Sequence, residues 1–221
     1  MSAAYPLMLN VVDRLSVIIG GGGVALRKAN GLIDAGAKRI RMVSPSFHDD
    51  IPVIVDKIFA RFQPDHLEGA GLVFAVTDSA EINDAVVCEA RRRGILVNRA
   101  DSDDDEPGDF TTPALSRHGP VVVTVSTAGA PALAAMIRDS LARHIDPQWC
   151  RMAEAMQVLR PKILTADHLR PDERRDVFRS LATSLALTTL ATGGVDLLWE
   201  SLILKFPRLA SSETPVRATQ Q

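Results

Sequence analysis

Aromatic side chains are scarce, at 5% of 221 residues, with one tyrosine and two tryptophans. Any core must therefore be aliphatic, and a hydrophobic fraction of 46% is enough to build one. Cysteine is nearly missing. Cys88 and Cys150 are too few for a disulfide framework and too isolated for a zinc site, which fits a reduced, cytoplasmic setting. Neither sign of charge is in excess. The net value of −2 argues against a general nucleic-acid binder. No run approaches the length of a membrane span, and the opening MSAAYPLMLNVVDR lacks the charged head and long apolar stretch of a secretory signal. There is no internal repeat.

Glycine, in contrast, is concentrated in one place. Residues 15–37 read LSVIIGGGGVALRKANGLIDAGA: a short apolar run, four glycines, then apolar residues at helical spacing, with Gly36 as a stop. This is strand, tight turn, helix. The spacing Gly20-x-Gly22-x-x-Ala25 fits the dinucleotide fingerprint. The first glycine permits the turn, and the second lets backbone approach a pyrophosphate. The small third residue lets the helix pack on the strand, and the phosphates meet unpaired N–H groups at the helix start.

The rest of the first half alternates in the same way. LMLNVV, residues 7–12, reads as an edge strand, and residues 39–43, 58–62, 72–76 and 95–97 as further strands. Residues 81–93 read as a helix whose Arg91-Arg92-Arg93 tail suits a C-terminus. Such alternation predicts a parallel sheet with helices on both faces, and ligands bind outside the carboxyl ends of such strands. The glycine turn, Ser44, Thr77 and residues 98–101 all fall at that edge. Ser44 stands where many NAD folds carry an acid, so the motif does not separate NAD from NADP. Serines there suit a ribose, a phosphate or a turn cap equally.

The acidic stretch DSDDDEPGD, residues 101–109, reads mostly as a solvated loop, with Asp101 set apart by lying nearest the strand end. Residues 110–119 read as a link to the β-branched strand 121–125. Ser126-Thr127-Ala128-Gly129-Ala130-Pro131 opens a helix, its hydroxyls fitting either capping or ligand contact. Beyond Pro147 the strands stop. Residues 148–205 look helical with a break at Gly193-Gly194, and the tail from 210 is polar.

The segments VIIGGGGVALRKANGLIDAGA, VSPSF, FAVTDSAEIN, VNRAD, FTTPAL and VTVSTAGAPALAAMIRDSL, in that order over about residues 6–145, resemble the precorrin-2 dehydrogenase family of sirohaem synthesis. The resemblance implies an α/β fold: a Rossmann-like parallel sheet (residues 1–112), a small dimerisation region (113–146) and a C-terminal helical domain (147–209); the polar composition of 210–221 predicts a disordered tail. It implies an NAD-dependent oxidation of precorrin-2 to sirohydrochlorin by a homodimer, with ferrous iron inserted by some members. Asp101 matches the essential aspartate. Gly20, Gly22, Gly23, Val24, Ser44, Pro45, Ser46, Thr77 and Asn98 match the cofactor contacts. Ser126, Thr127 and His118 match the tetrapyrrole cleft, and Arg117 and Arg138 are cations suited to substrate carboxylates. Arg99 and Arg143 are further candidate cations, although a solvated surface role suits each arginine taken alone. Here the family's Ser-Thr-Gly-Gly-x-Ser-Pro is one residue shorter and the acidic loop is longer, so Asp103, Asp104 and Asp105 stand beside Asp101 as working acids. A non-enzymatic NAD-sensing module is the reading from another class. Asp101 and the Ser126-Thr127 turn, which a sensor does not need, argue against it.

Overall fold

The computed structural model describes residues 5–100, 108–127, 129–166 and 169–210. The chain divides into two compact units, residues 1–112 and 113–221.

The first unit runs β1 (Leu15–Ile19), α1 (Gly23–Asp34), β2 (Arg39–Ser44), β3 (Asp56–Phe59), β4 (Leu72–Ala75), α2 (Ala80–Arg92) and β5 (Val97–Arg99). All pairings are parallel, in the order β3-β2-β1-β4-β5. Every residue of β1 is buried, because both faces of the sheet are covered. Ile18 meets Ala25, Ala29 and Leu32 of α1 in one layer. Leu15, Val17 and Ile19 meet Val86, Val87 and Ala90 of α2 in the other. The helix stop at Gly36 is as expected: at φ 84° its N–H reaches the Ile33 carbonyl and that of Ala37 reaches Leu32, a paired closure that the left-handed glycine permits.

Three expected strands differ. Residues 7–12 form none, because the Asn10 carboxamide takes the Val12 N–H at 3.1 Å and bends the chain toward β1. The expected strand at 58–62 begins earlier and stops at Phe59. β5 lies two residues beyond the expected 95–97, because Gly94 at φ 68° and the Ile95 N–H bond to Ala90 close α2 first.

In the second unit, β6 (Ala114–His118) and β7 (Val121–Val125) pair antiparallel. Residues 114–118 are therefore a strand, not a link. Its alternation was hidden by polar Ser116, Arg117 and His118 on a hairpin that is only half-buried. The remaining helices are α3 (Pro131–Ala142), α4 (Pro147–Leu164), α5 (Pro171–Leu181) and α6 (Ser184–Lys205). Asp146 caps α4 through the Gln148 N–H at 2.8 Å, and Thr183 caps α6. Leu159, Ile163, Val177, Leu181 and Leu198 form the core of α4–α6. The expected break falls at Gly194, which kinks α6 at φ 69°. α6 has 22 residues and a most apolar 18-residue window of mean hydropathy 1.2, so by length and composition alone it is long and apolar enough to cross a membrane, a stretch the sequence reading passed over. Its threonines and glycines interrupt the apolar letters without lowering the average far enough.

Candidate functional site

The parallel register brings the ends of β1, β2, β4 and β5 to one edge, and the strand order reverses beside β1. Gly20 leaves β1 at φ 131°, where a Cβ would lie 2.7 Å from the Val76 carbonyl oxygen. Gly21 is tighter: a Cβ there would meet the Ser46 carbonyl oxygen at 2.0 Å and the Ser44 hydroxyl at 2.8 Å. Its own carbonyl accepts the His48 N–H at 2.7 Å. Gly20 presses the exit of β1 onto the end of β4, and Gly21 presses it onto the turn after β2. Gly22 and Gly23 differ, since no atom lies within 4 Å of where their Cβ atoms would stand. α1 has no side-chain cap and no acid in its first turn. Its leading N–H groups, Val24 among them, and the positive end of its dipole face this open space. That arrangement fits a pyrophosphate. Ala25, fully buried beneath, packs the helix on the sheet.

Ser44 is buried at the end of β2, its hydroxyl 3.4 Å from the Ser46 N–H, while Pro45 and Ser46 are exposed. Thr77, after β4, is held by a buried residue that the sequence reading missed. Asn83 accepts the Thr77 N–H at 3.1 Å, donates to the Thr77 carbonyl at 3.0 Å and lies 2.8 Å from its hydroxyl. Asn98 is buried and donates to the Phe110 carbonyl at 2.9 Å, while its Oδ1 has no partner among the described residues.

Asp101, Asp103, Asp104 and Asp105 lie outside the described residues, but both flanks of their loop are described. The Arg99 side chain is 2% exposed and paired with Asp84. Asp109 takes the Val97 N–H at 3.0 Å and gives its own N–H to the Val97 carbonyl at 2.7 Å. Arg91 reaches the same carboxylate at 3.3 Å. A Cβ on Gly108 would meet the Val97 carbonyl oxygen at 2.6 Å. The chain thus returns to the strand it left, closing the loop at a neck. Arg99 is therefore not solvated, contrary to its surface reading, while Asp109 stays exposed but is tied to β5. The burial comes from β4 and α2, which no local pattern reveals. Lys28 of α1 adds a second tie: its ammonium lies 2.5 Å from the Thr112 hydroxyl and 5.7 Å from the centre of the Phe74 ring. Burial, helped by neighbouring Arg27, pushes its pKa down to about 8.

The residues matched to the tetrapyrrole belong to the second unit. His118 Nε2 lies 2.7 Å from Ser116 Oγ on one face of β6, and Arg117 is exposed on the other. Ser126 is exposed past β7. The Thr127 hydroxyl donates to the Ala130 carbonyl at 2.6 Å, bracing the turn into α3. It is not the helix cap, a position held by Ala130. Arg138 reaches its neighbour Asp139 at 2.6 and 2.8 Å. Among the described residues no group of three or more histidine, cysteine or acidic side chains could hold a metal.

A parallel sheet whose order reverses beside a glycine turn, with a bare helix N-terminus above it, defines a nucleotide-binding protein of the Rossmann class. Residues 7–114 match the family described as "Putative NAD(P)-binding". The chain is 34% identical over 181 residues to a siroheme synthase of Nitrosomonas eutropha, covering 79% of this chain and 37% of that protein. It is 36% identical over 182 residues to one of Pseudomonas paraeruginosa, covering 78% and again 37%. The chain thus spans well under half the length of these relatives. The solved structure named "SirC, precorrin-2 dehydrogenase" shares the fold: TM-score 0.70, 20% identity, 90% of this chain and 98% of that one. Over about four fifths of its length this chain is thus similar to part of the siroheme synthases, with an NAD(P)-binding pattern over residues 7–114.

Proposed function

We propose that this chain oxidises precorrin-2 to sirohydrochlorin with NAD, as a cytoplasmic homodimer. The observation that carries the reading is the open space at Gly22 and Gly23 before a bare helix N-terminus, at the carboxyl edge of a parallel sheet. When bound there, the nicotinamide cofactor supplies the hydride acceptor. Gly20 shapes the turn, and the N–H groups of Gly22, Gly23 and Val24 hold the pyrophosphate. Ser44, Pro45, Ser46, Thr77 and Asn98 complete the contacts along the same edge. Asp101 takes the proton that leaves with the hydride. Ser126, Thr127 and His118 contact the macrocycle, and Arg117 and Arg138 pair with its carboxylates.

Residues 113–146 form the dimerisation region and residues 147–209 the helical domain. α3 supports the first assignment: Ala134 is its one buried residue, while Leu133, Met136 and Leu141 are 45%, 63% and 45% exposed. A twelve-residue helix so poorly covered needs a partner surface.

The test is NADH formation from precorrin-2 under anaerobic conditions. Asp101→Asn keeps size and loses the base, so turnover falls about a hundredfold to ten-thousandfold while NAD affinity holds. A wild-type chain that forms no NADH overturns the reading. Wild-type turnover in Asp101→Asn transfers the role to Asp103, Asp104 or Asp105.

A further inference from the structure

Asn83 is fully buried at the start of α2, and the helix itself does not explain it. Ser79 already caps α2, its hydroxyl taking the Ile82 N–H at 3.4 Å. Val86, Val87 and Ala90 already pack α2 on the sheet. A leucine of similar size would bury there without stripping water from a carboxamide. The carboxamide is directed at one residue instead. Its Oδ1 accepts the Thr77 N–H at 3.1 Å and lies 2.8 Å from the Thr77 hydroxyl, and its Nδ2 donates to the Thr77 carbonyl at 3.0 Å. The same hydroxyl reaches the Ser79 carbonyl at 3.0 Å and takes the Ser79 N–H at 3.2 Å. Both donors of Thr77 are thus committed inside the fold, and what it offers a ligand is lone pairs.

We propose that Asn83 is a positioning residue for the cofactor: it fixes the exit of β4 as one wall of the crevice whose other wall is the glycine turn. β1 lies between β2 and β4, and ligands of such sheets lie in the crevice where the strand order reverses. Val76, just before Thr77, gives its N–H to the Ile19 carbonyl at 2.9 Å. The Val76 carbonyl oxygen stands 2.7 Å from where a Cβ on Gly20 would be. Residue 76 is therefore held by β1 and residue 77 by α2, and the wall between them is pinned at both ends. Removing the second pin frees residues 77–79 to shift against the turn while β4 and α2 stay in place. The same amide leaves Thr77 an acceptor, which suits a hydroxyl or amide N–H of the cofactor and not a phosphate oxygen. The inference rests on the reading of this edge as the cofactor site.

The test is calorimetric titration of the full chain with NAD, beside thermal melting. Asn83→Leu keeps the volume, removes all three bonds to Thr77 and weakens NAD about tenfold to a hundredfold. Asn83→Ala, which leaves space instead of a wrong side chain, does the same and carries the test if the leucine variant fails to fold. Val86→Ala, in the core of the same helix, lowers the melting temperature and leaves NAD affinity unchanged. Thr77→Val completes a cycle: combined with an Asn83 variant, the loss is smaller than the product of the two single losses, because both act on one contact. In NADH formation the Asn83 variants raise KM for NAD and keep kcat. Equal NAD affinity in the wild type and the Asn83 variants overturns the proposal. An equal loss in Val86→Ala overturns it too, since the effect would then be one of stability, and so does a combined loss equal to the product, or a lowered kcat at unchanged KM. A wild type that binds no NAD overturns it together with the cofactor site. Failure to form NADH strikes the dehydrogenase reading alone, because the NAD titration judges Asn83 by itself.

Discussion

Gly21 and Gly22 are neighbours in one turn under different constraints. A methyl group on Gly21 would stand 2.0 Å from a backbone oxygen, whereas one on Gly22 meets nothing within 4 Å. Gly22 lies at φ −84°, which any residue adopts. Gly22→Asp therefore folds normally and loses NAD, since its side chain fills the pyrophosphate space and repels the charge. Gly21→Ala loses stability, because the turn after β2 must move. Calorimetric NAD titration beside thermal melting separates the two, and NAD binding by Gly22→Asp would count against the fingerprint. Lys28 gives a pH signature at the same scale. Its folded pKa of about 8 lies below the ordinary 10.5. Between those values the unfolded chain holds the proton and the folded chain has released it, so stability rises with pH across that window. Below about pH 8 both states are charged and the cost of burial is present in full. Lys28→Met removes this contribution. Urea midpoints for both proteins at pH 7.5 and 10.5 show a larger gain for the wild type.

At the scale of elements, β5 and the neck beside it decide where the acidic loop begins and ends. Asp109 does for the outer edge of β5 what a paired strand would do, taking the Val97 N–H and returning its own to the Val97 carbonyl. Asp109→Ala leaves a part-buried N–H without an acceptor and costs about 1–3 kcal/mol. Asp109→Asn keeps an acceptor oxygen and loses less. On the proposed function, turnover falls in Asp109→Ala with NAD affinity unchanged, because the proposed base Asp101 follows β5 in sequence and the proposed phosphate site is at α1. Denaturant midpoints with single-turnover NADH formation check both. An Asp109→Ala protein as stable and active as wild type would remove the neck from the mechanism.

At the scale of the whole molecule, light scattering at micromolar concentration should give twice the 23.9 kDa of one chain. Met136→Glu, on the exposed side of α3, should return it to one. A wild-type monomer would count against the assignment of residues 113–146. The β1–turn–α1 unit was legible in the sequence because everything that makes it is local: an apolar run, four glycines, helical spacing and Gly36 as a stop, all within residues 15–37. The alternation of elements was legible for the same reason, and with it the edge that gathers the glycine turn, the Ser44 end of β2 and the exit of β4. What the sequence by itself determined is the parallel sheet, its glycine turn and the likeness to siroheme synthases. Only the tertiary structure decided that Gly21 is the glycine with no room, that Asn83 holds Thr77, that Arg99 and Asp109 are built into the neck, and that Lys28 reaches Thr112, 84 positions away. Each of these depends on which strand end or helix face lies alongside, and periodicity along the chain carries no trace of it. Burial changes the meaning of a charged residue, and burial is a property of the packed molecule.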